Sequence, residues 1–170
     1  GGLISINHKN HKKFREILFS RRWCGITDRK ATDYDVKELG WNYYMNEFSA
    51  VIGLTQLKKL ERLNKIRKSI AKKYHNKINL KDKMPYDDNC SYHLYWILVK
   101  NRKRFREKLS ELGIETGTHY KPIHLMKMYK KSNSLPITER VGKQIVTIPI
   151  HPNLKNSEID KIINSINRFA

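Results

Sequence analysis

The strongest hydrophobic pattern along this chain predicts one long helix that begins near Glu47. Asn46 is suited to cap the helix, and Glu47 places a negative charge in its first turn, where the helix dipole favours one. The apolar residues that follow recur every three or four positions, at Leu57, Leu60, Leu63, Ile66, Ile70 and Tyr74. We expect this helix to end between residues 76 and 79.

Shorter apolar patterns predict strands and helices on both sides of the long helix. The predicted strands cover residues 3–6, 92–99, 114–116 and 145–150, and the predicted helices cover residues 8–19, 102–112 and 157–169. Gly113 is expected to end one helix and Ser157 to cap another. Residues 21–35 are expected to form a loop, and residues 82–89 a connector. The strand, helix, glycine and strand order indicates an α/β layer.

Composition places the chain among globular proteins, with 39% hydrophobic and 30% charged residues and enough length for one sizeable core. The formal net charge of +19 raises the alternative of a nucleic-acid-binding domain. Much of that charge, however, is spread along the long helix, where lysines and arginines usually form a solvated face. We therefore expect no nucleic-acid partner, and at most attraction of an anionic substrate.

The sequence shows no feature of a membrane or disulfide-rich secreted protein. No apolar run approaches the length needed to cross a bilayer, and the N-terminus lacks a secretory pattern. Cys24 and Cys90 form no Cys-x-x-Cys pair and no Cys/His cluster, so we expect reduced thiols and no zinc site. The predicted compartment is the cytoplasm.

Three separated motifs carry the chemical information. The first is Gly-Trp-Asn-Tyr-Tyr-Met-Asn-Glu at residues 40–47, the second Thr-His-Tyr-Lys-Pro-Ile-His-Leu at 118–125, and the third Ile-Pro-Ile-His-Pro at 148–152. Together and in this order they resemble the DegT/DnrJ/EryC1/StrS family of pyridoxal-phosphate (PLP)-dependent nucleotide-sugar aminotransferases. The resemblance covers essentially all 170 residues but only the C-terminal part of the family's length.

The resemblance implies an α/β fold, the C-terminal part of a fold type I transferase of the aspartate-aminotransferase type. Residues 1–54 would end the large PLP-binding domain, and residues 55–170 would form the small C-terminal domain. Gly1 and Gly2 resemble the glycine pair that follows the cofactor-bearing lysine, so we expect that lysine just upstream of Gly1. No catalytic residue is then expected in the chain, and none of its lysines, Lys121 included, is expected to replace the missing one.

Asn42 matches the asparagine that in the family reaches across a homodimer interface to the phosphate of the partner's cofactor. A side-chain amide offers two N–H donors to such an oxyanion. The alternative is that Asn42 only terminates a turn. The chain departs from many members at Tyr44, where they have arginine, so a charge contact of those relatives is absent here or made elsewhere.

The resemblance also implies substrate contacts from His119, Tyr120 and His124, on a loop whose backbone Pro122 restricts. Their imidazoles and phenol could bond the sugar or its diphosphate. The alternative is that the histidines are plain hydrogen-bonding groups, and a metal is not expected because no third ligand has a convincing spacing. Residues 21–26 resemble a further family segment, in which guanidinium groups could meet phosphate, or they form a surface loop anchored by Trp23.

The implied activity is transfer of an amino group, usually from glutamate, to a keto group on a nucleotide-linked sugar. PLP would act as the electron sink, and the product would enter polysaccharide or glycoconjugate synthesis. The chain alone is expected to show no turnover. Two alternatives stay open: a non-catalytic binding or dimerisation module, and the nucleic-acid-binding domain considered above.

Overall fold

The computed structural model describes residues 2–129 and 134–170 of the chain. They divide into two compact units, Gly1–Lys59 and Leu60–Ala170, and each unit is described by itself. The division falls inside the long helix. The assignment of residues 1–54 to a cofactor-binding domain and of 55–170 to a small domain stays a prediction.

The first unit is built from a helix and a hairpin. Helix α1 (His11–Arg22) is followed by strands β1 (Ile26–Lys30) and β2 (Asp33–Val36), which pair antiparallel. The predicted loop over residues 21–35 is therefore wrong. The sequence marks this hairpin weakly, because β1 does not alternate polar and apolar residues, only the four residues of β2 do, and the turn contains neither Asn-Gly nor any glycine.

The predicted strand over residues 3–6 is also wrong. These residues are largely exposed and irregular, and Leu3 keeps 92% of its surface accessible. A strand exists only where a neighbour pairs with its backbone groups, and no described residue does so here. β-prone side chains are not sufficient to form a strand.

The long helix is confirmed as α2 (Glu47–Lys77). Asn46 caps it as predicted, because the Asn46 Oδ1 atom accepts a hydrogen bond of 2.8 Å from the backbone N–H of Ser49. The helix ends inside the expected interval. Only its C-terminal half carries buried residues, namely Ile70, Ala71 and Tyr74.

The second unit contains an antiparallel sheet centred on strands β3 (Tyr95–Leu98) and β4 (Ile145–Ile148). Lys83 forms an isolated bridge with Ile97 on the outer side of β3, and Gly117 forms one with Thr147 on the outer side of β4. The pairing at Gly117 corrects the predicted strand over residues 114–116. Those residues form no strand, and the contact with β4 comes later in the chain.

Helices α3 (Arg102–Glu111), α4 (Pro136–Gln144) and α5 (Asn156–Phe169) complete the second unit. Helix α3 ends as predicted before Gly113, whose φ of +72° is the left-handed conformation that glycine adopts without strain. Helix α4 was not predicted. Helix α5 begins at Asn156, so the predicted Ser157 cap is wrong. Its first turn is instead stabilised by the Glu158 carboxylate, which accepts from the Lys155 N–H at 2.7 Å.

One face of the sheet and the apolar faces of the helices form a single core. Residues Tyr95 and Ile97 of β3 alternate inward and lie opposite Ile148 and Val146 of β4. They share the core with Ile70, Tyr74, Phe105, Leu109, Ile159, Ile162, Ile163 and Ile166. The strand, helix and glycine pattern thus forms the α/β layer expected, with antiparallel strands.

Asn167 joins helix α5 to the end of helix α2. Its Nδ2 atom donates to the Lys77 carbonyl oxygen at 2.9 Å, and its Oδ1 atom accepts from the Asn79 N–H at 2.8 Å. The last turn of any helix leaves carbonyl groups without intrahelical partners. Asn167 satisfies one of these carbonyl groups and also holds the backbone at Asn79, just after the end of helix α2.

We expect Asn167→Ala to lower the free energy of unfolding by about 1–3 kcal/mol, because two hydrogen bonds of about 0.5–1.5 kcal/mol each are removed. Urea unfolding followed by circular dichroism measures it. The control is Asn164→Ala on the same helix, since Asn164 is exposed and no described residue bonds its side chain. Equal stability of the two variants would contradict the role of Asn167.

Candidate functional site

The predicted cofactor residue Asn42 lies in the first unit, on a segment that pairs with the end of α1. Asn42 bridges Trp23, and the N–H groups of Trp41 and Tyr43 donate to the Arg21 and Arg22 carbonyls at 2.8 and 2.9 Å. Gly40 permits this approach, because a Cβ atom there would lie 2.2 Å from the backbone nitrogen of Gly25. The backbone of Asn42 is therefore held from both sides.

The side chain of Asn42 has one end bound and one end exposed. Its Oδ1 atom accepts from the Tyr44 N–H at 3.2 Å, which closes a local turn. No described residue accepts a hydrogen bond from its Nδ2 atom, and the residue as a whole is exposed. Asn42 therefore does close a turn, as the alternative interpretation holds, and its amide still has two N–H donors that a ligand could use.

Guanidinium and aromatic groups surround this turn. The Arg22 guanidinium lies 4.5 Å from the ring centroids of both Phe19 and Tyr44, and its Nη2 atom donates to the Tyr44 hydroxyl at 3.3 Å. The Trp23 and Tyr44 rings meet edge to face at 6.2 Å. Trp23 is half-buried, as the predicted anchor of this segment requires.

The second candidate region is the loop around His119 and Tyr120 in the second unit. The His119 Nδ1 atom lies 2.7 Å from the Thr147 Oγ1 atom of β4, and the ring is half-buried. Gly117 leaves space for that ring, because a Cβ atom there would lie 2.6 Å from it. The Tyr120 ring packs perpendicular to that of His119 at 4.8 Å and is 67% exposed.

His119 and Thr147 also line a cavity of about 800 Å³ within the second unit. The other ionisable residues that line it are Arg67, His93, Glu115, His151, Glu158 and Lys161. Sequence reasoning had not singled out Thr147, Arg67 or His93. No sequence signal marks them, since they come from three separate segments that only the fold brings together.

His124 occupies a different environment from His119. It lies in a short 3₁₀ turn (Ile123–Leu125), and its Nε2 atom is 3.3 Å from the Glu139 Oε1 atom of helix α4. The same oxygen accepts from the Leu135 N–H at 3.0 Å. The hydrogen bond from the Leu135 N–H is the largest cause of a lowered pKa of Glu139, and the hydrogen bond with His124 is the second. His124 thus contributes to the attachment of the loop to α4.

The structure does not decide the ligand roles of Asn42, His119, Tyr120 and His124, which stay predictions. Asn42 belongs to one unit and the other three residues to the other. Among residues 2–129 and 134–170, no three His, Cys, Asp or Glu side chains are grouped as a metal site requires. Cys24 and Cys90 are free thiols.

Comparison with known proteins adds the decisive observation: the sequence model of the DegT/DnrJ/EryC1/StrS aminotransferase family matches residues 1–167. The chain belongs to this family. The resemblance inferred from the three motifs is thereby confirmed. No helix in the described part of this family member has the length and apolarity needed to cross a membrane.

Solved structures of aminotransferases superpose on the chain. PseC from Helicobacter pylori, an aminotransferase involved in the biosynthesis of pseudoaminic acid, is 27% identical with a TM-score of 0.82, over 92% of this chain and 46% of PseC. A DegT DnrJ EryC1 StrS aminotransferase from Brucella abortus is also 27% identical, with a TM-score of 0.78 over 92% and 43% of the two chains.

The PLP form of Spr1654 from Streptococcus pneumoniae is 23% identical, with a TM-score of 0.83 over 94% of this chain and 44% of Spr1654. At that identity the likeness concerns the fold alone. The predicted fold class, α/β and part of a fold type I PLP-dependent transferase, is confirmed by these superpositions. The chain spans less than half the length of each of the three proteins.

The contact between Glu139 and the Leu135 N–H gives a pH-dependent prediction. A carboxylate with a lowered pKa contributes stability above its unfolded pKa, and this contribution is lost as the pH falls through the folded pKa. We expect the chemical shift of the Leu135 amide proton to follow the ionisation of Glu139, with a midpoint below 4.5, the ordinary pKa of glutamate. Nuclear magnetic resonance (NMR) measures its shift.

In Glu139→Gln the shift of this proton should no longer follow that titration, because the glutamine amide carries no titratable charge. If the chemical shift of the Leu135 amide proton depends on pH identically in both proteins, Glu139 does not accept its hydrogen bond.

Proposed function

We propose that the chain acts as the C-terminal part of an enzyme that transfers an amino group, usually from glutamate, to a keto group on a nucleotide-linked sugar. The observation that carries the proposal is the family match over residues 1–167. The 27% identity to PseC, an aminotransferase involved in the biosynthesis of pseudoaminic acid, supports it. In this proposal the enzyme is a cytoplasmic homodimer with a shared active site, and its product enters polysaccharide or glycoconjugate synthesis.

PLP is the cofactor of the proposed reaction, and it supplies an electron sink when bound. The residue in this chain that fits it is Asn42. The Asn42 oxygen is occupied by the Tyr44 N–H, so the amide presents its N–H donors, and donors are what a phosphate requires. We propose that Asn42 holds the phosphate of the cofactor bound by the partner subunit.

The proposed substrate contacts come from His119, Tyr120 and His124. The Nδ1 atom of His119 is occupied by Thr147, and no described residue bonds its Nε2 atom, so Nε2 is the atom that we assign to a hydroxyl or diphosphate oxygen. The exposed Tyr120 phenol can donate to the same class of group. His124 already contacts Glu139. We therefore propose that its main role is to orient the loop and that contact with the substrate is its secondary role.

We propose that the lysine that carries the cofactor is not a residue of this chain. Such a lysine needs a lowered pKa, which a dedicated pocket provides. Burial lowers the pKa of Lys83, but Lys83 lies on the connector and donates to the Ile78 carbonyl oxygen. Lys121, on the candidate loop, is exposed. Neither combines the required position and environment.

The alternative function, a binding or dimerisation module, has one observation in its favour. Phe48, Val51 and Ile52 at the start of α2 are 84%, 62% and 62% exposed. Apolar surface of this kind marks an interaction site. The same surface is expected of a chain that spans part of its relatives, so the observation does not displace the aminotransferase proposal.

The activity is tested on the longest protein encoded by the reading frame that contains this chain. With PLP and L-glutamate, we expect it to form 2-oxoglutarate and an amino sugar from one or more UDP- or dTDP-linked keto sugars. The separate 170-residue chain should show no turnover and no site-specific PLP adduct after reduction with borohydride. A stoichiometric adduct on one lysine of the separate chain, Lys121 above all, would overturn the assignment of the lysine elsewhere.

Asn42→Ala tests the cofactor contact in that longer protein. Loss of a hydrogen bond to a charged group, about 1.5–3 kcal/mol, predicts roughly ten- to a hundredfold weaker PLP affinity. Equilibrium dialysis measures the affinity, and thermal unfolding measures stability in parallel. Unchanged PLP affinity with lowered thermal stability would identify Asn42 as a turn residue only.

A further inference from the structure

The direction of the Asn42 amide depends on a single side-chain hydrogen bond. The bond joins Asn42 Oδ1 to the Tyr44 N–H at 3.2 Å, and the Asn42 residue is exposed. An exposed amide on a short turn can rotate unless the group that binds it is itself fixed. What fixes Tyr44 therefore decides whether the Nδ2 donors point in one direction.

Arg22 contacts Tyr44 twice and the neighbouring Tyr43 once. The guanidinium lies 4.5 Å from the centre of the Tyr44 ring, and its Nη2 atom donates to the Tyr44 hydroxyl at 3.3 Å. The Arg22 carbonyl oxygen accepts from the N–H of the neighbouring Tyr43 at 2.9 Å. One residue thus binds both the backbone before Tyr44 and the far end of its side chain.

Arg22 is in turn held in one position. The Phe19 ring lies on the guanidinium at 4.5 Å, so the cation is placed against two aromatic rings. Its Nε atom is buried and bonded to no described residue, and no described carboxylate forms an ion pair with it. The planar guanidinium is suited to this position, where a lysine ammonium could not stack.

We propose that Arg22 is a positioning residue for the cofactor phosphate: by holding Tyr44 it fixes the direction in which the Asn42 amide presents its N–H donors. The inference rests on the proposed role of Asn42.

The test uses the 170-residue chain labelled with ¹⁵N, and Asn42→Ala identifies the Asn42 side-chain NH₂ signals. We expect these signals to show a rigid amide in the unmodified chain. In Arg22→Gln the ¹⁵N order parameter of the group should fall below about 0.6, the range of flexible groups. Tyr44→Phe keeps the ring against Arg22 and should retain most of the order.

Arg15→Gln is the matched control. Arg15 lies over the same Phe19 ring, at 4.4 Å, but in the described part of the chain it forms neither a hydrogen bond nor a cation–π contact with Tyr44. Its removal should leave the Asn42 order parameter unchanged. An equal loss in Arg15→Gln and Arg22→Gln would overturn the proposal, because it would show a general loosening of α1 instead of positioning through Tyr44.

Tyr44→Leu covers the case in which Arg22→Gln unfolds the first unit, since it removes the ring and leaves Arg22 against Phe19. An Asn42 amide that stays rigid in either Arg22→Gln or Tyr44→Leu overturns the proposal. The PLP affinity of Asn42→Ala, measured in the longer protein, is a separate result. Unchanged affinity there would overturn the phosphate contact of Asn42, whereas the NMR result alone decides whether Arg22 orders the Asn42 amide.

Discussion

The second unit depends on the burial of Tyr74, because this side chain joins three elements that are far apart in sequence. Its ring is fully buried and packs edge to face on Tyr95 of β3 at 5.2 Å, and its hydroxyl donates to the Pro149 carbonyl oxygen at 2.7 Å, just after β4. Burial raises the pKa of Tyr74, and it raises that of Tyr95 to about 12. Both phenols are therefore neutral in the core, where a buried charge would be costly.

The elements that could be predicted from the sequence are those that residues close together in the chain specify by themselves. The Asn46 cap, the helical period up to Tyr74 and the isoleucine face of α5 are local patterns, and the structure has all three. The β1–β2 hairpin and helix α4 are too short to show such a pattern clearly. In the hairpin only the four residues of β2 alternate polar and apolar, and in the nine-residue α4 the apolar residues Ile137 and Val141 lie one turn apart, which is too little to establish a hydrophobic period.

The candidate site follows the same division. Asn42, His119 and Tyr120 could be proposed from short motifs, because the motifs contain them. Thr147 could not, since its contact with His119 arises from the bridge between Gly117 and β4, across 28 residues of sequence. The Glu139 partner of His124 likewise depends on a helix that the sequence did not predict. The sequence therefore predicts the candidate ligand-binding side chains, whereas the residues that orient those side chains become known only from the fold.

The two candidate regions share one structural feature, a polar side chain whose orientation is set by a neighbouring residue. In each, a polar side chain that is at least partly accessible to solvent is held through one of its polar atoms by a neighbouring residue: Asn42 through Oδ1 by Tyr44, and His119 through Nδ1 by Thr147. A group held in this way loses little further freedom when it binds a ligand, so more of the interaction energy contributes to affinity. Glycines at positions 40 and 117 give both regions the space for this arrangement, because a Cβ atom at either position would collide with its neighbours. The partners that hold these groups therefore matter to binding as much as the groups themselves.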